Sequence, residues 1–354
     1  MNTFGFNGNG GLNSRVDRLE GSLNVIDTSG SPGSETLMRG DGVDGLFGFV
    51  QATDFIDGDT LASELGITEG TSYKPNSQWA KVMIGGEIGF FPILPLRHSI
   101  SWDSIYNAGA VHGDGSIGTL PPQGRLGTEL EITNGTTITT TGHFLGNKSI
   151  GMDYYDTVGS VGDTIVLAGW DNAENNGEFT IDTITDTTIT IVEGGLTAEV
   201  GDRDSKLYPK ANEVTQDAEV TIDGLVYKVR LFKGFDEDPI NSYADSDRGA
   251  VDDGSEWNRI VLPLHERAVA QNWNYTAYAG TTENWNTGLS DEDMILHYDF
   301  GIGSRRWCQE VRDDDETFRR GYRGYFGASY AGAAPSWDTL SNLGWCPVLI
   351  LKNS

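Results

Sequence analysis

From residue 125 to residue 210 the chain alternates apolar with small polar residues, a period of two that an extended strand satisfies and a helix does not. The runs TELEITNGTTITTTGHF and GDTIVLAGWDNAENNGEFTIDTITDTTITIVEGG are dense in Thr, Ile and Val. Strand-sized pieces recur every 8–12 residues between Asn-Gly and Asp-Thr turns, which predicts a small β-sandwich or barrel. Glycine supports many tight turns: 47 of 354 residues, without a Gly-X-Y period. A mainly β, loop-rich fold is expected.

The flanking sequence carries its own β signals. LFGFVQATDFI alternates from residue 46, and TLASELGI reads as a short helix. WAKVMIGGEIGFFPIL reads as a hairpin turning at Gly85-Gly86-Glu87, and VTIDGLVYKVRLFKG as a second turning at Asp223-Gly224. In ISWDSIYNAGAV, Trp102, Ile105 and Tyr106 have helical spacing. Two hairpins around a block of different texture suggest a main β domain, residues 41–124 and 211–354, with residues 125–210 inserted in a surface loop. Trp257, Trp273, Trp285, Trp307, Trp337 and Trp345 offer an aromatic core for a region with few regular runs. IVLPL reads as strand-like before His265, and WCPVLILK as a deeply buried last strand.

Residues 1–40 read as an arm. Leu12, Val16, Leu19, Leu23 and Ile26 are spaced 4, 3, 4, 3, an a/d seam over two heptads. Gly21 weakens it, and an amphipathic helix docked on its own domain has the same pattern. Residues 28–45, including Arg39-Gly40-Asp41, read as linker. Met1 to Gly11 has neither a basic n-region nor an apolar h-region, so no secretory signal is expected.

Charge narrows the partners. The formal net charge of −28 opposes nucleic acid and anionic membranes, and no run nears the ~18 apolar residues of a membrane span. Neither partner is expected. The acidic run Asp313-Asp314-Asp315-Glu316 reads as a solvated loop, because glycosidase chemistry needs two carboxylates held across a cleft. His98, His112, His143, His265 and His297 form no zincin pattern, and His265 reads as a hydrogen-bonding core or turn residue. Walker, Rossmann and Gly-x-Ser-x-Gly signatures are missing. Calcium is the best metal candidate, at Asp41, Asp44, Asp54, Asp57 and Asp59 or at Asp171 to Gly177, yet neither group has EF-hand spacing and the second also reads as a plain turn. No cofactor is expected. Cys308 and Cys346 fit either a disulfide between C-terminal strands or two buried thiols.

Arg15-Val16-Asp17-Arg18-Leu19-Glu20 resembles the trimerisation motif of short three-stranded coiled coils, in which the arginine crosses the seam to a neighbouring glutamate. The segments WAKVMIGGEIGFFPILPLRHSISWDSIYNAGAVHG, LVYKVRLFKG, GSEWNRIVLPLHE, RRWCQE, RGYRG and GWCPVLIL, in that order, resemble a family of tailed-phage virion structural proteins of tail, collar or capsid surface. Cys346 stands where that family's usual ending has arginine. GDTIVLAGWDNAENNGEFTIDTITDTTITIVEGGLTAEV resembles a small β-sandwich-like decoration module of phage tails and baseplates, and the C-terminal Trp-x-x-Glu, Arg-Gly and Gly-Trp-x-Pro-Val pattern resembles C-type-lectin-like domains. The resemblance implies a virion protein that trimerises through its arm, contacts other virion proteins, and has host glycan as a candidate ligand. A virion-borne glycan-degrading enzyme with paired carboxylates is the alternative.

Overall fold

A computed structural model describes residues 30–119, 125–126, 129–141, 160–202, 204–210, 213–235, 238, 240–241, 255–265, 285–313, 319–328, 330–336 and 338–352. The expected coiled coil at residues 12–26 lies outside these, as do His143, Trp273, Trp337 and residues 314–316. The fold is mainly β, 41% strand against 15% helix.

The first sheet shows how local signals become a core. Strands β4 (Trp79–Ile84) and β5 (Glu87–Pro92) turn at Gly85 and Gly86, with φ of +59° and +88°. Strands β17 (Glu219–Ile222) and β18 (Leu225–Arg230) turn at Asp223 and Gly224, with φ of +48° and +82°. Two consecutive positive φ values are what a two-residue turn needs to match strand twist. Between these hairpins lies β24 (Val348–Leu351), hydrogen-bonded to β5 on one side and β18 on the other, with all four residues buried. The last strand of the chain thus joins two hairpins separated by more than a hundred residues.

Residues 28–45 are a linker only by composition. In the described part, β1 (Arg39–Gly40) pairs with β2 (Gly45–Val50), which pairs with β4 and completes the sheet edge. Asp41 Oδ1 accepts from the Val43 and Asp44 amides, so Arg39-Gly40-Asp41 enters a closed turn. Local side-chain acceptance of turn N–H groups is why Asp and Gly make compact turns as readily as linkers.

The sheet is buried on both faces. Trp79 and Met83 join one core with Phe90, Leu349 and Tyr227, while Ala80, Val82 and Ile84 join another with Phe91, Val348 and Ile350. Lys81 points into the first, 0% exposed, over the rings of Phe47 and Phe90; burial lowers its pKa to about 8. Helices α1 (Gly58–Glu64) and α2 (Trp102–Asn107) cover this side, capped by Asp57 and Ser101. The second face packs on Trp257–Val261, a π-helical turn that continues into α3 (Leu262–Leu264). The strand-like expectation for IVLPL is therefore corrected. Pro263 lies just past the point where the π-helical turn gives way to α3, and an all-buried apolar run has no period to separate helix from strand.

A second sheet runs β22 (Ala331–Pro335), β21 (Arg319–Gly324), β20 (Arg305–Asp313), β23 (Leu343–Trp345), β6 (Arg97–His98), β3 (Thr71–Ser72), with β19 (Ile240–Asn241) parallel to β20. Indole N–H groups tie it to α2: Trp307 donates to Ile100 O at 2.8 Å and Trp102 to Cys308 O at 2.9 Å.

Residues 125–209 supply an eight-stranded sheet of their own, from β8 (Arg125–Leu126) through β9 (Leu130–Asn134), β10 (Thr137–Thr140), β11 (Thr164–Ala168), β12 (Gly177–Ile184), β13 (Thr188–Ile191) and β14 (Glu199–Val200) to β15 (Lys206–Pro209). Ile138, Ile165, Leu167, Phe179, Ile181, Ile189 and Ile191 face one separate core, with the threonines between them turned outward. On either side of the block, β7 (Ile117–Thr119) and β16 (Glu213–Thr215) pair antiparallel.

Candidate functional site

Asp41, Asp44, Asp57 and Asp59 and the 171–177 loop, all candidate calcium positions, resolve into structural roles. Glu199 accepts from the Asp171 and Asn172 amides and from the side-chain amides of Asn172 and Asn175, closing the 171–177 loop as a turn. Asp44 pairs with Arg259, Asp57 caps α1, and Asp59 bonds Ser72. Among the described residues no group of three or more His, Cys, Asp or Glu side chains could hold a metal ion.

Cys308 and Cys346 are both buried free thiols. The Cys308 sulfur fills the notch left by Gly234, where a Cβ would come within 2.4 Å of it, and lies 3.6 Å from Arg306 O. Burial drives the Cys308 thiol well above its ordinary pKa and that of Cys346 to about 11, so neither is a thiolate near neutral pH.

Around Cys308 the strands bury charge. Arg306, Arg320 and Arg323 are each at most 1% exposed. Arg306 Nη2 donates to Ile93 O at 2.6 Å and to Met294 O, and Arg323 Nη2 donates to Asn258 Oδ1. Arg306 and Arg323 both lie over Trp257, and Arg320 lies 4.3 Å from the Trp102 ring centroid. Weak hydration and a planar π surface suit guanidinium to such sites. Beside them Glu310 is fully buried, accepting the Gly234 N–H at 3.1 Å; burial pushes its carboxyl up to about 8. These groups are sealed from solvent and organise the core.

An open depression of about 420 Å³ lies between α1 and α2, lined by Gly66, Glu69, Ser101, Asp103, Ser104 and Asn107 among others. Glu69 is engaged there in capping: it accepts the Ser101 amide at 2.7 Å and the Ser101 hydroxyl at 2.6 Å.

A different surface combines exposure with construction. Helix α4 (Asp291–Met294) starts with a capping box between Ser290 and Asp293 and stops at Ile295, whose φ of +50° and ψ of +58° are left-handed. A β-branched residue is costly there. His297 follows, then a 3-10 turn, Tyr298–Phe300, and Gly301-Ile302-Gly303. The facing loop leaves β21 at Gly324 and passes through Tyr325 at φ +89°, a second strained non-glycine position. Backbone bonds join the loops: Tyr298 N–H to Tyr325 O at 2.8 Å and Gly327 N–H to Leu296 O at 2.9 Å. Two strained residues held in facing, hydrogen-bonded loops are the pattern seen where geometry serves binding.

The result is a raft of rings. Tyr325 and Phe326 lie 4.6 Å apart between centroids, Tyr298 and Phe326 5.6 Å, Tyr298 and Tyr325 5.7 Å, and Phe326 and Tyr330 4.8 Å. Tyr298, Phe300 and Ile302 remain 46%, 40% and 38% exposed. From inside, the Arg305 guanidinium lies 4.0 Å from the Tyr325 centroid and 4.8 Å from that of Tyr322. In the same loop pair, Asp291 Oδ1 accepts the Ala328 N–H at 3.0 Å and lies 3.2 Å from His265 Nε2. Burial raises that carboxyl's pKa, but the His265 hydrogen bond and charge and the Ala328 N–H outweigh burial and hold it below the usual range. The expected role of His265 as a buried hydrogen-bonding residue matches this geometry.

Sequence reading missed the raft because its rings come from two loops whose spacing has no period. The positive-φ glycines are the local trace of it. At Gly324, φ is +93° and a Cβ would stand 2.3 Å from Ser304 O. Gly324→Ala is expected to lower stability by about 3 kcal/mol, read as a fall in denaturant midpoint at unchanged m.

Comparison with protein-family models, curated proteins and solved structures gives no match to this chain.

Proposed function

We propose that this chain is a structural component of a tailed-phage particle, a tail, collar or capsid-surface protein that assembles through residues 12–26 and turns its β bodies outward. One observation carries the reading. The segments that resemble phage virion proteins are scattered over residues 79–351, yet they fold against one another. WAKVMIGGEIGFFPIL, LVYKVRLFKG and GWCPVLIL supply β4, β5, β18 and β24, neighbours in one sheet. RRWCQE and RGYRG supply β20 and β21, neighbours in another, and GSEWNRIVLPLHE supplies the turn whose Trp257 lies against Arg306 and Arg323.

In this reading residues 211–354 are the lectin-like part, and residues 125–210 are an insertion with a core of its own, carried where β7 meets β16. The raft of rings is the face offered to a partner, because exposed apolar patches of this kind mark interaction sites. Its function is attachment, without turnover. Peptide mass spectrometry of purified particles is expected to find the chain in stoichiometric amounts, and its absence there would overturn the assignment. Sedimentation of the full chain at micromolar concentration is expected to give a trimer, and a chain lacking residues 1–29 a monomer. Equal masses for both would remove the assembly role of Leu12, Arg15, Val16, Leu19, Glu20, Leu23 and Ile26.

A further inference from the structure

We propose that residues 30–37 form a releasable strap over Lys81, held loosely because closing it buries the lysine ammonium, and that its release lets the N-terminal residues reach a second copy of this chain. Only the use made of release rests on the assembly reading of residues 12–26; the strap itself stands on geometry.

The segment crosses the first sheet without joining it. Gly30 lies against β18, where a Cβ would be 3.9 Å from Leu225 Cδ1. Gly33 lies against β2 and β4: a Cβ there would stand 2.6 Å from Val50 Cγ2 and 3.6 Å from Lys81 Cδ. Ser31 is buried, whereas residues 33–36 are exposed. Ser34 and Thr36 bond each other, and among the described residues strand pairing begins only at Arg39. A segment held by packing, outside the ladders, belongs to the part of a fold that opens before the rest.

Beneath the strap Lys81 is fully buried, with Nζ 3.5 Å from Ser31 O and 5.5 and 5.9 Å from the ring centroids of Phe47 and Phe90. A charge-assisted N–H···O bond is about 2.7–2.9 Å long, so this carbonyl replaces little of the lost hydration. Glu35, on the strap itself, is the charged group that favours the ammonium; the facing Phe47, Val50 and Phe90 are uncharged. Burial outweighs Glu35 and lowers Lys81 from 10.5 to about 8. Once the strap opens, the amine regains its ordinary affinity for a proton. Between the two values opening takes up a proton, so opening grows as pH falls from 10.5 to about 8 and levels off below. A gap of that size makes the strap at neutral pH about 300-fold easier to open than it is over the uncharged amine.

Release changes reach. Residues 30–37 freed from the sheet lengthen the tether of the preceding residues by about 26 Å at full extension. Seams at residues 12–26 on separate copies can then meet while their β bodies stay apart. With the strap closed, each seam starts from a fixed point beside Leu225.

A thiol placed in the strap tests this. S31C in the full chain would be pulse-labelled with iodoacetamide, and its rate divided by that of a small free thiol at the same pH. Cys308 and Cys346, at most 1% exposed, report opening of the core in the same sample. The new thiol is expected to label more slowly than the free thiol and faster than Cys308 and Cys346. Its opening should fall about thirtyfold between pH 7 and pH 9.5. Adding K81M, a neutral side chain of similar length, should make opening at pH 7 at least about tenfold rarer and remove the pH dependence. Adding G33A should raise opening about tenfold, because its Cβ meets Val50 at a φ of +83°. Three results would overturn the proposal: a new thiol no faster than Cys308, one as fast as the free thiol, or opening that K81M leaves unchanged or still pH-dependent. Should S31C lower the thermal midpoint, cleavage after Glu35 by a glutamate-specific protease reads the same opening without a new thiol. That cleavage should slow in K81M, and equal rates would be equally fatal. None of these outcomes bears on the trimer itself, which sedimentation reads separately.

Discussion

Replacing Arg306 by alanine is expected to cost about 2–5 kcal/mol of unfolding free energy. The side chain is 1% exposed, and Nη2 bonds two backbone carbonyls, Ile93 O beyond β5 and Met294 O at the end of α4. Removal leaves both acceptors buried without a donor and opens a cavity against Trp257. Arg306→Met refills the volume without restoring either hydrogen bond, so about 2 kcal/mol of the loss should remain. The effect is also local. Met294 immediately precedes the left-handed Ile295, so losing its carbonyl anchor should loosen residues 295–303 before the rest of the chain unfolds. Amide exchange in R306M is therefore expected to rise first in that loop. Denaturation curves of R306A within 1 kcal/mol of wild type would assign the buried guanidinium no structural role.

The second large effect is a pH dependence. In the folded state burial holds the Glu310 carboxyl at about 8, against an ordinary value of 4.5. Between these values the folded chain keeps a proton that the unfolded chain releases, so stability falls as pH rises from about 4.5 towards 8. A gap of that size corresponds to a loss on the order of 4 kcal/mol over the window. Glu310→Gln keeps the carbonyl acceptor for the Gly234 N–H and has no proton to lose. It should match wild type near pH 5 and be the more stable protein at pH 8. Urea titrations at both values decide the matter, and parallel stability profiles for the two proteins would mean that Glu310 ionises freely in the fold.

Several elements were legible because neighbours in the chain encode them. Gly85-Gly86 and Asp223-Gly224 announce hairpins, since few other residues accept two consecutive positive φ values. Trp102, Ile105 and Tyr106 announce one buried helix face, and all three are buried. In residues 125–210 the isoleucines and threonines separate inward and outward because one face of each strand is dry and the other wet. Where a segment is buried on all sides this contrast disappears, which is why IVLPL at 260–264 reads as strand-like and yet folds as a helical turn.

What the sequence by itself determined is therefore local: turns, strand faces and one helix face. Only the tertiary structure decided which segments meet. Arg306 alternates with Trp307 along β20, and period two alone assigns the arginine to solvent. The strand, however, is covered on both sides, so the charge is buried and must find carbonyls from residues 93 and 294. Tyr298 and Tyr325 are twenty-seven positions apart, and no local rule relates them. They become one surface because backbone bonds clasp the loops that flank the paired β20 and β21. Backbone preference acts over a few residues, whereas the site depends on register between strands, and register is set by the whole core at once.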